Sequence, residues 1–378
     1  MMRESLVTPS ITVATGPTTY VPAVTIRAVQ RRNNFNFLRL FFASLVILSH
    51  SSELIDGNQS RELFIQFFQN TISFGGLAVD GFFLLSGYLI VQSWASSPQA
   101  IPFLKKRVLR IYPGFIIASL ICVLVVGPLG AEPMAYFSRL EWSTVVKDIF
   151  LLRAPTTPPV FDGLPYPVVN GAMWTISREF LCYLLVLLLG LAGGVKDRRI
   201  WLIFSIGMFA VLVVSKLGYP IEVFGRQFNL SNPIIHLASF FFAGGCFYLF
   251  KDKIRFQPKI ALIFSILLFF CLFSTRLAEL ALVVIGGYLL IYFAGGFMPL
   301  LSRFQTAPDI SYGVYLYGWP VQMLLIWHFG FASPRALFFV ALLMSALLGL
   351  VSWVSIEKPF LKLKAFRPSW QNLLGQKA

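Results

Sequence analysis

Five ionisable side chains stand in stretches otherwise too apolar to carry charge: Arg39, His50, Asp80, Arg178 and Glu179. Arg39 and His50 are 11 residues apart. At 100° per residue that spacing puts both on one helix face, about 16 Å apart along its axis. Asp80 lies in a stretch rich in small residues (Gly75, Gly76, Gly81, Ser86, Gly87), which lets a neighbouring helix or a ligand come close. Glu179 has Tyr183 four residues on, on the same face. An imidazole whose tautomer is held by a carboxylate is equipped for general acid/base work. His50 is the imidazole, and Asp80 and Glu179 are both placed to orient it. Each residue also has a plainer reading. Arg39 is then a snorkelling arginine, His50 a water-bonded interfacial histidine, Asp80 a hydrogen-bonded acid in a packing motif, and Glu179 the partner of Arg178.

A second group is Lys105, Lys106, Arg107 and Arg110. Arg107 and Arg110 share a helix face, and guanidinium forks suit phosphate oxygens. The plainer reading is a positive topology signal or anionic-lipid contact. The four cysteines, Cys122, Cys182, Cys246 and Cys271, sit in apolar runs without metal-type spacing, so neither a disulfide framework nor a metal site is expected.

The elements that carry these residues follow from composition. The chain of 378 residues is 57% hydrophobic and 12% charged, with 39 Phe. A soluble domain is about 25% charged, so a water-facing enzyme of this size is excluded. The expectation is an all-α polytopic membrane protein. Apolar runs suggest ten spans, at about 36–54, 73–94, 111–130, 173–193, 200–216, 233–250, 259–275, 278–297, 310–329 and 335–355. With both termini cytoplasmic, 21 of the 31 Lys and Arg fall on inner segments and 8 on outer ones. The net charge of +15 is therefore read as topology, with no nucleic-acid partner. On this frame His50, Asp80 and Glu179 are expected at similar depths near the outer side, and the basic cluster just before the third span. Residues 1–34 read as a disordered basic cytoplasmic tail, 35–360 as the membrane domain and 361–378 as a short cytoplasmic tail. The long outer connection 131–172 is proline-rich, and Trp142 to Leu152 suits a short interfacial helix.

Several motifs in order resemble the acyltransferase 3 family of integral membrane acyltransferases. They are Arg39 with His50; Val79 through Ile90; Arg107-Val108-Leu109-Arg110-Ile111-Tyr112-Pro113; Trp174 through Glu179 to Tyr183; Ser311 through Pro320; and Ile356-Glu357-Lys358-Pro359. Gly318 departs from the family, many of whose members carry a His there. The resemblance implies a ten-helix domain in a bacterial inner membrane. It implies a cytoplasmic acetyl-CoA or other short acyl-CoA donor, with no metal, and a glycan or lipid-linked glycan acceptor reached from the outer side. Polysaccharide-synthesis machinery and membrane lipid are the implied partners. On that reading Arg107 and Arg110 hold the phosphates of the donor, Arg39 and Ser86 support it, and Trp174 and Tyr183 contact substrate. His50 is the general base, oriented by Asp80 or Glu179. With few residues after Pro359, the chain reads as a stand-alone enzyme without a fused esterase-like domain. The competing reading is a transporter or flippase of a lipid-linked sugar, which calls for inverted repeats that the sequence does not show.

Overall fold

The computed structural model describes residues 33–218, 221–223, 226–228, 233–296, 298 and 301–365, so the tail 1–32 and residues 366–378 lie outside the described residues. Apolar runs without water partners must satisfy their own backbone groups, and helices do so within one segment. The long helices are α1 (Phe35–Asp56), α3 (Phe74–Ser96), α4 (Ala100–Leu129), α7 (Gly171–Leu191), α8 (Arg198–Leu217), α9 (Pro233–Leu249), α10 (Pro258–Cys271), α11 (Ala278–Gly295), α12 (Ser311–Phe329) and α13 (Pro334–Lys362). Short helices α2 (Leu63–Phe67), α5 (Pro133–Ser138) and α6 (Trp142–Phe150) lie in connections. Seven of these helices are long and apolar enough to cross a membrane, and α9 and α10 are shorter apolar helices. The chain is a polytopic helical membrane protein. One antiparallel hairpin, β1 (Ile221–Val223) with β2 (Arg226–Phe228), links α8 to α9 and pairs Ile221 with Phe228.

Each expected apolar run corresponds to a helix, with the largest displacements at the start of the third and at the end of the last, which runs on to Lys362. The third helix begins at Ala100, so the basic cluster lies within it rather than before it. A polar break in hydropathy does not end a helix. Lys, Arg and Leu are good helix formers, and Pro102 in the first turn lacks only a hydrogen bond that no residue there makes. Three helices contain a π-helical turn, at Cys122–Val126, Leu282–Gly286 and Trp353–Glu357. The last of these carries Glu357 into the interior, where it is buried.

Helix α3 packs on α9 with backbones in contact. A Cβ on Gly87 would overlap the Phe241 carbonyl, and one on Gly244 would overlap the Leu84 carbonyl. That close crossing brings α3, the carrier of Asp80 and Ser86, against the rest of the bundle. Helix α1 lies between α3 and α12, with Phe42 against Gly81 and Ile47 against Gly318.

Candidate active site

A pocket of about 790 Å³, counting its open mouth, lies where α1, α3, α4, α7 and α12 meet. Arg39, Arg107 and Arg110 line it, together with Ser86, Glu179, Tyr183 and Tyr312. The two arginines of α4 are held differently. Arg110 is an ion-pair centre, with Nη2 2.6 Å from Asp309 and Nη1 3.5 Å from Glu357. Asp309 also faces Arg39 at 3.6 Å. Burial alone would raise the Asp309 carboxyl, but Arg110 and then Arg39 outweigh it and hold it at about 2. Arg107 instead donates one bond to Ser93 Oγ, 2.8 Å away, and its ring neighbours are Phe103 and Tyr183. Its Nε is buried without a partner. An orphaned guanidinium N–H beside a pocket is a donor awaiting an acceptor. Lys364, exposed at the end of the described chain, is pushed down by partial desolvation and by the nearby charges of Arg110, Arg107, Lys106 and Arg39. The mouth is thus a concentration of positive charge that suits a polyanion.

Deeper in the pocket, Glu179 Oε1 accepts hydrogen bonds from Ser86 Oγ and Tyr183 Oη, each 2.5 Å long. Tyr315 also lines the pocket, and its hydroxyl lies 2.6 Å from Thr175 Oγ1 and 2.7 Å from the Ala172 carbonyl. Phe82 packs edge-on to the same ring.

One helical turn beyond Tyr315 on α12, Trp319 packs edge-on to His50, with ring centroids 4.8 Å apart. His50 Nδ1 lies 3.0 Å from Glu53 Oε2, and Gln59 donates to the same carboxylate oxygen at 3.2 Å. Tyr166 closes over Trp319 from the outer connection, with ring centroids 5.9 Å apart. His50 and Glu53 are each 18% exposed at the side chain, so the pair is accessible.

The expected orientation of His50 by Asp80 or Glu179 is corrected by this geometry. Asp80 belongs to another cluster. Its Oδ1 lies 2.6 Å from His236 Nε2; His236 Nδ1 lies 2.9 Å from Glu279; Glu279 lies 2.6 Å from Lys216 Nζ. Glu179 bonds Ser86, six residues further along α3 than Asp80 and so about 9 Å deeper. The expected common depth fails, since Glu179 meets α3 at Ser86 rather than at the level of Asp80. Arg178 does not pair with Glu179. It folds back over the Trp174 ring and donates to the Trp174 carbonyl. Trp174 lies outside the pocket lining, 39% exposed, whereas Tyr183 is part of it. At Gly318 a Cβ would stand 2.8 Å from Ile47 Cγ1, so any side chain there would have to displace Ile47.

Sequence reasoning missed Glu53, although its i, i+3 spacing from His50 was a readable signal. It quoted Glu357 only inside a motif and passed over Asp309, two residues before Ser311. For His236, Glu279 and Lys216 no local signal existed, because their partners are 43 to 156 residues away in the pairs His236–Glu279 and His236–Asp80. Among the described residues no cluster of metal-type ligands occurs.

The bundle, basic pocket and buried acids define a polytopic helical membrane protein with a charged internal site. A family model described as an acyltransferase domain, acyltransferase 3, matches residues 32–354, and the chain belongs to that family. It is a membrane acyltransferase. It is 28% identical over 344 residues to the O-acetyl transferase of Shigella phage Sf6, covering 88% of this chain and 97% of that protein. It is 27% identical over 370 residues to Nodulation protein 10 of Rhizobium leguminosarum bv. viciae, covering 88% of this chain and 94% of that protein. A 132-residue stretch is 30% identical to acyltransferase MdmB of Streptomyces mycarofaciens, covering 34% of this chain and 32% of that protein. No solved structure matches the chain.

Proposed function

We propose that the protein is an O-acyltransferase that moves an acetyl or other short acyl group from cytoplasmic acyl-CoA to a hydroxyl of a cell-surface or lipid-linked glycan. The observation that carries this reading is one alignment within the bundle. Tyr315 lines a pocket with a basic mouth, and one turn further along α12 Trp319 touches the partly exposed His50–Glu53 pair. On this reading all ten long helices cross a bacterial inner membrane, both termini are cytoplasmic, and the basic mouth opens to the cytoplasm. The lysine and arginine bias of the connections supports that orientation.

Arg107, whose guanidinium has no carboxylate partner among the described residues, binds the donor's phosphates, and Arg39 and Lys364 add charge around them. Arg110 keeps the mouth in shape through Asp309 and Glu357. Ser86, Glu179 and Tyr183 form a polar lining around the arm that carries the thioester. Phe82 and Tyr315 line the same pocket, and the arm passes along them to bring the acyl carbon to His50. His50 takes the acceptor hydroxyl's proton through Nε2, and Glu53 at Nδ1 stabilises the resulting imidazolium. The acceptor oxygen bonds the acyl carbon, the carbon–sulfur bond breaks, and the proton held on His50 passes to the leaving thiolate. The O-acetyl transferase relative supports the reaction type.

The test is reconstitution into vesicles with radiolabelled acetyl-CoA on the basic-mouth side and a soluble glycan on the other. Label is expected on the glycan with the native protein and not with His50→Ala, provided both insert equally. Full transfer by an inserted His50→Ala protein overturns the assignment.

A further inference from the structure

A second concavity lies at the same end of the bundle as His50, in the connection between α4 and α7. It is lined by Glu132, Tyr136, Arg139, Pro159, Asp162 and Trp327, with about 700 Å³ of empty space counting its mouth. The floor is built rather than incidental. Phe161 donates its backbone N–H to the Gly130 carbonyl at 2.7 Å and is fully buried. A Cβ on Gly130 would strike the Phe161 ring, so the helix end needs glycine there. Phe161 has φ +56°, a conformation that L side chains adopt at a cost of about 1 kcal/mol, held here by the buried ring. Tyr136 is anchored by its hydroxyl to the Val123 carbonyl in the π-turn of α4, 2.9 Å away.

The chemistry of the wall is mixed. Trp327 is 38% exposed and packs edge-on to Phe161, with ring centroids 5.9 Å apart, which fixes its plane. Glu132 spends its carboxylate in part on the Met134 and Ala135 N–H groups of α5. The side chains of Arg139 and Asp162 have no hydrogen-bond or ion-pair partner among the described residues. Two carboxylates disfavour an anion, and three charged groups disfavour a purely apolar guest. A fixed indole beside both donors and acceptors suits a ring with one C–H face and several hydroxyls, a pyranose.

Trp327 follows Trp319, the neighbour of His50, by eight residues on α12, a rise of about 12 Å. That is longer than one sugar ring. We infer that this concavity is a distal acceptor subsite for a neutral pyranose, so that the enzyme acts on an oligosaccharide or polymer rather than on a single sugar. The inference rests on the glycan reading above and adds a length requirement to it.

The test uses a length ladder of saccharides, one to six residues, from partial acid hydrolysis of the surface glycan of the cell that makes the protein. With native protein, kcat/KM is expected to rise once the chain is long enough to bridge His50 and Trp327. Trp327→Ala should cut the ratio of long-chain to single-sugar kcat/KM by about 3- to 10-fold. Asp162→Asn, a surface change that spares folding, should cut it in the same direction. Equal kcat/KM at every length in the native protein, or an unaltered ratio in both variants, overturns the subsite. Failure of the glycan reading looks different: the native protein then acylates no member of the ladder, and the subsite falls with it.

Discussion

The carboxylate that reaches His50 is Glu53, 3.0 Å from Nδ1 and one turn further along the same helix. A pair made by one helix needs no tertiary contact to form, but it needs room around it to be useful. Trp319 supplies a wall for the imidazole, and Gln59 fixes the carboxylate from the following turn. Glu53→Gln keeps the shape and removes the charge that stabilises an imidazolium. It is expected to lower kcat by about 10²-fold or more with donor KM retained. Acyl transfer under saturating donor checks this, and an unchanged kcat would remove Glu53 from the reaction.

The two arginines of α4 should separate experimentally. Arg107→Ala removes the donor with the orphaned Nε, so donor KM should rise about 10-fold or more with little change in melting temperature. Arg110→Ala leaves buried Glu357 without its cation and Asp309 with Arg39 alone, and breaking a buried pair costs about 3–5 kcal/mol. Its signature is loss of thermal stability in detergent. Equal effects of both variants on donor KM would mean both grip phosphate.

Asp80, His236, Glu279 and Lys216 form a tie across α3, α9, α11 and α8. Asp80→Asn should therefore destabilise the bundle, and His236→Ala in the same protein should add less than its own single effect. A double-mutant cycle on thermal stability should return a coupling of about 0.5–3 kcal/mol. Strict additivity would show that the pair does not act as one unit.

Asp309 gives the mouth a pH dependence of known sign. Its carboxyl is held at about 2 in the folded protein against an ordinary 3.8. A depressed acid adds stability that is complete above its ordinary value and is lost as pH falls through the folded one. The contribution is roughly 2 kcal/mol, disappearing between about pH 4 and pH 2. Unfolding scans of native and Asp309→Asn protein should converge at the acid end and separate above it. A constant difference across that window would contradict the ion-pair account.

Gly87 and Gly244 test the packing that sets these positions. Gly87→Ala forces a methyl into the Phe241 carbonyl, which is backbone and cannot swing away. Overpacking of this kind costs about 1–3 kcal/mol. Lower melting temperature with a matching fall in transfer is expected, because α3 carries Ser86 into the pocket.

By itself the sequence determined that this is a helical membrane protein, where its helices lie, and that Arg39, His50 and the arginines of α4 are the side chains to follow. Those properties are local: hydropathy over 20 residues, and angular spacing along one helix, need no knowledge of neighbours. The partners of the acids were decided only by the tertiary structure. Asp80 meets His236 across 156 residues, and Arg110 meets Asp309 across 199. Whether two helices present their charges at one depth depends on their axial offset, which is set by how their side chains and backbones pack. Counting residues from a membrane surface cannot see that offset. It placed Glu179 beside His50, whereas packing placed it beside Ser86.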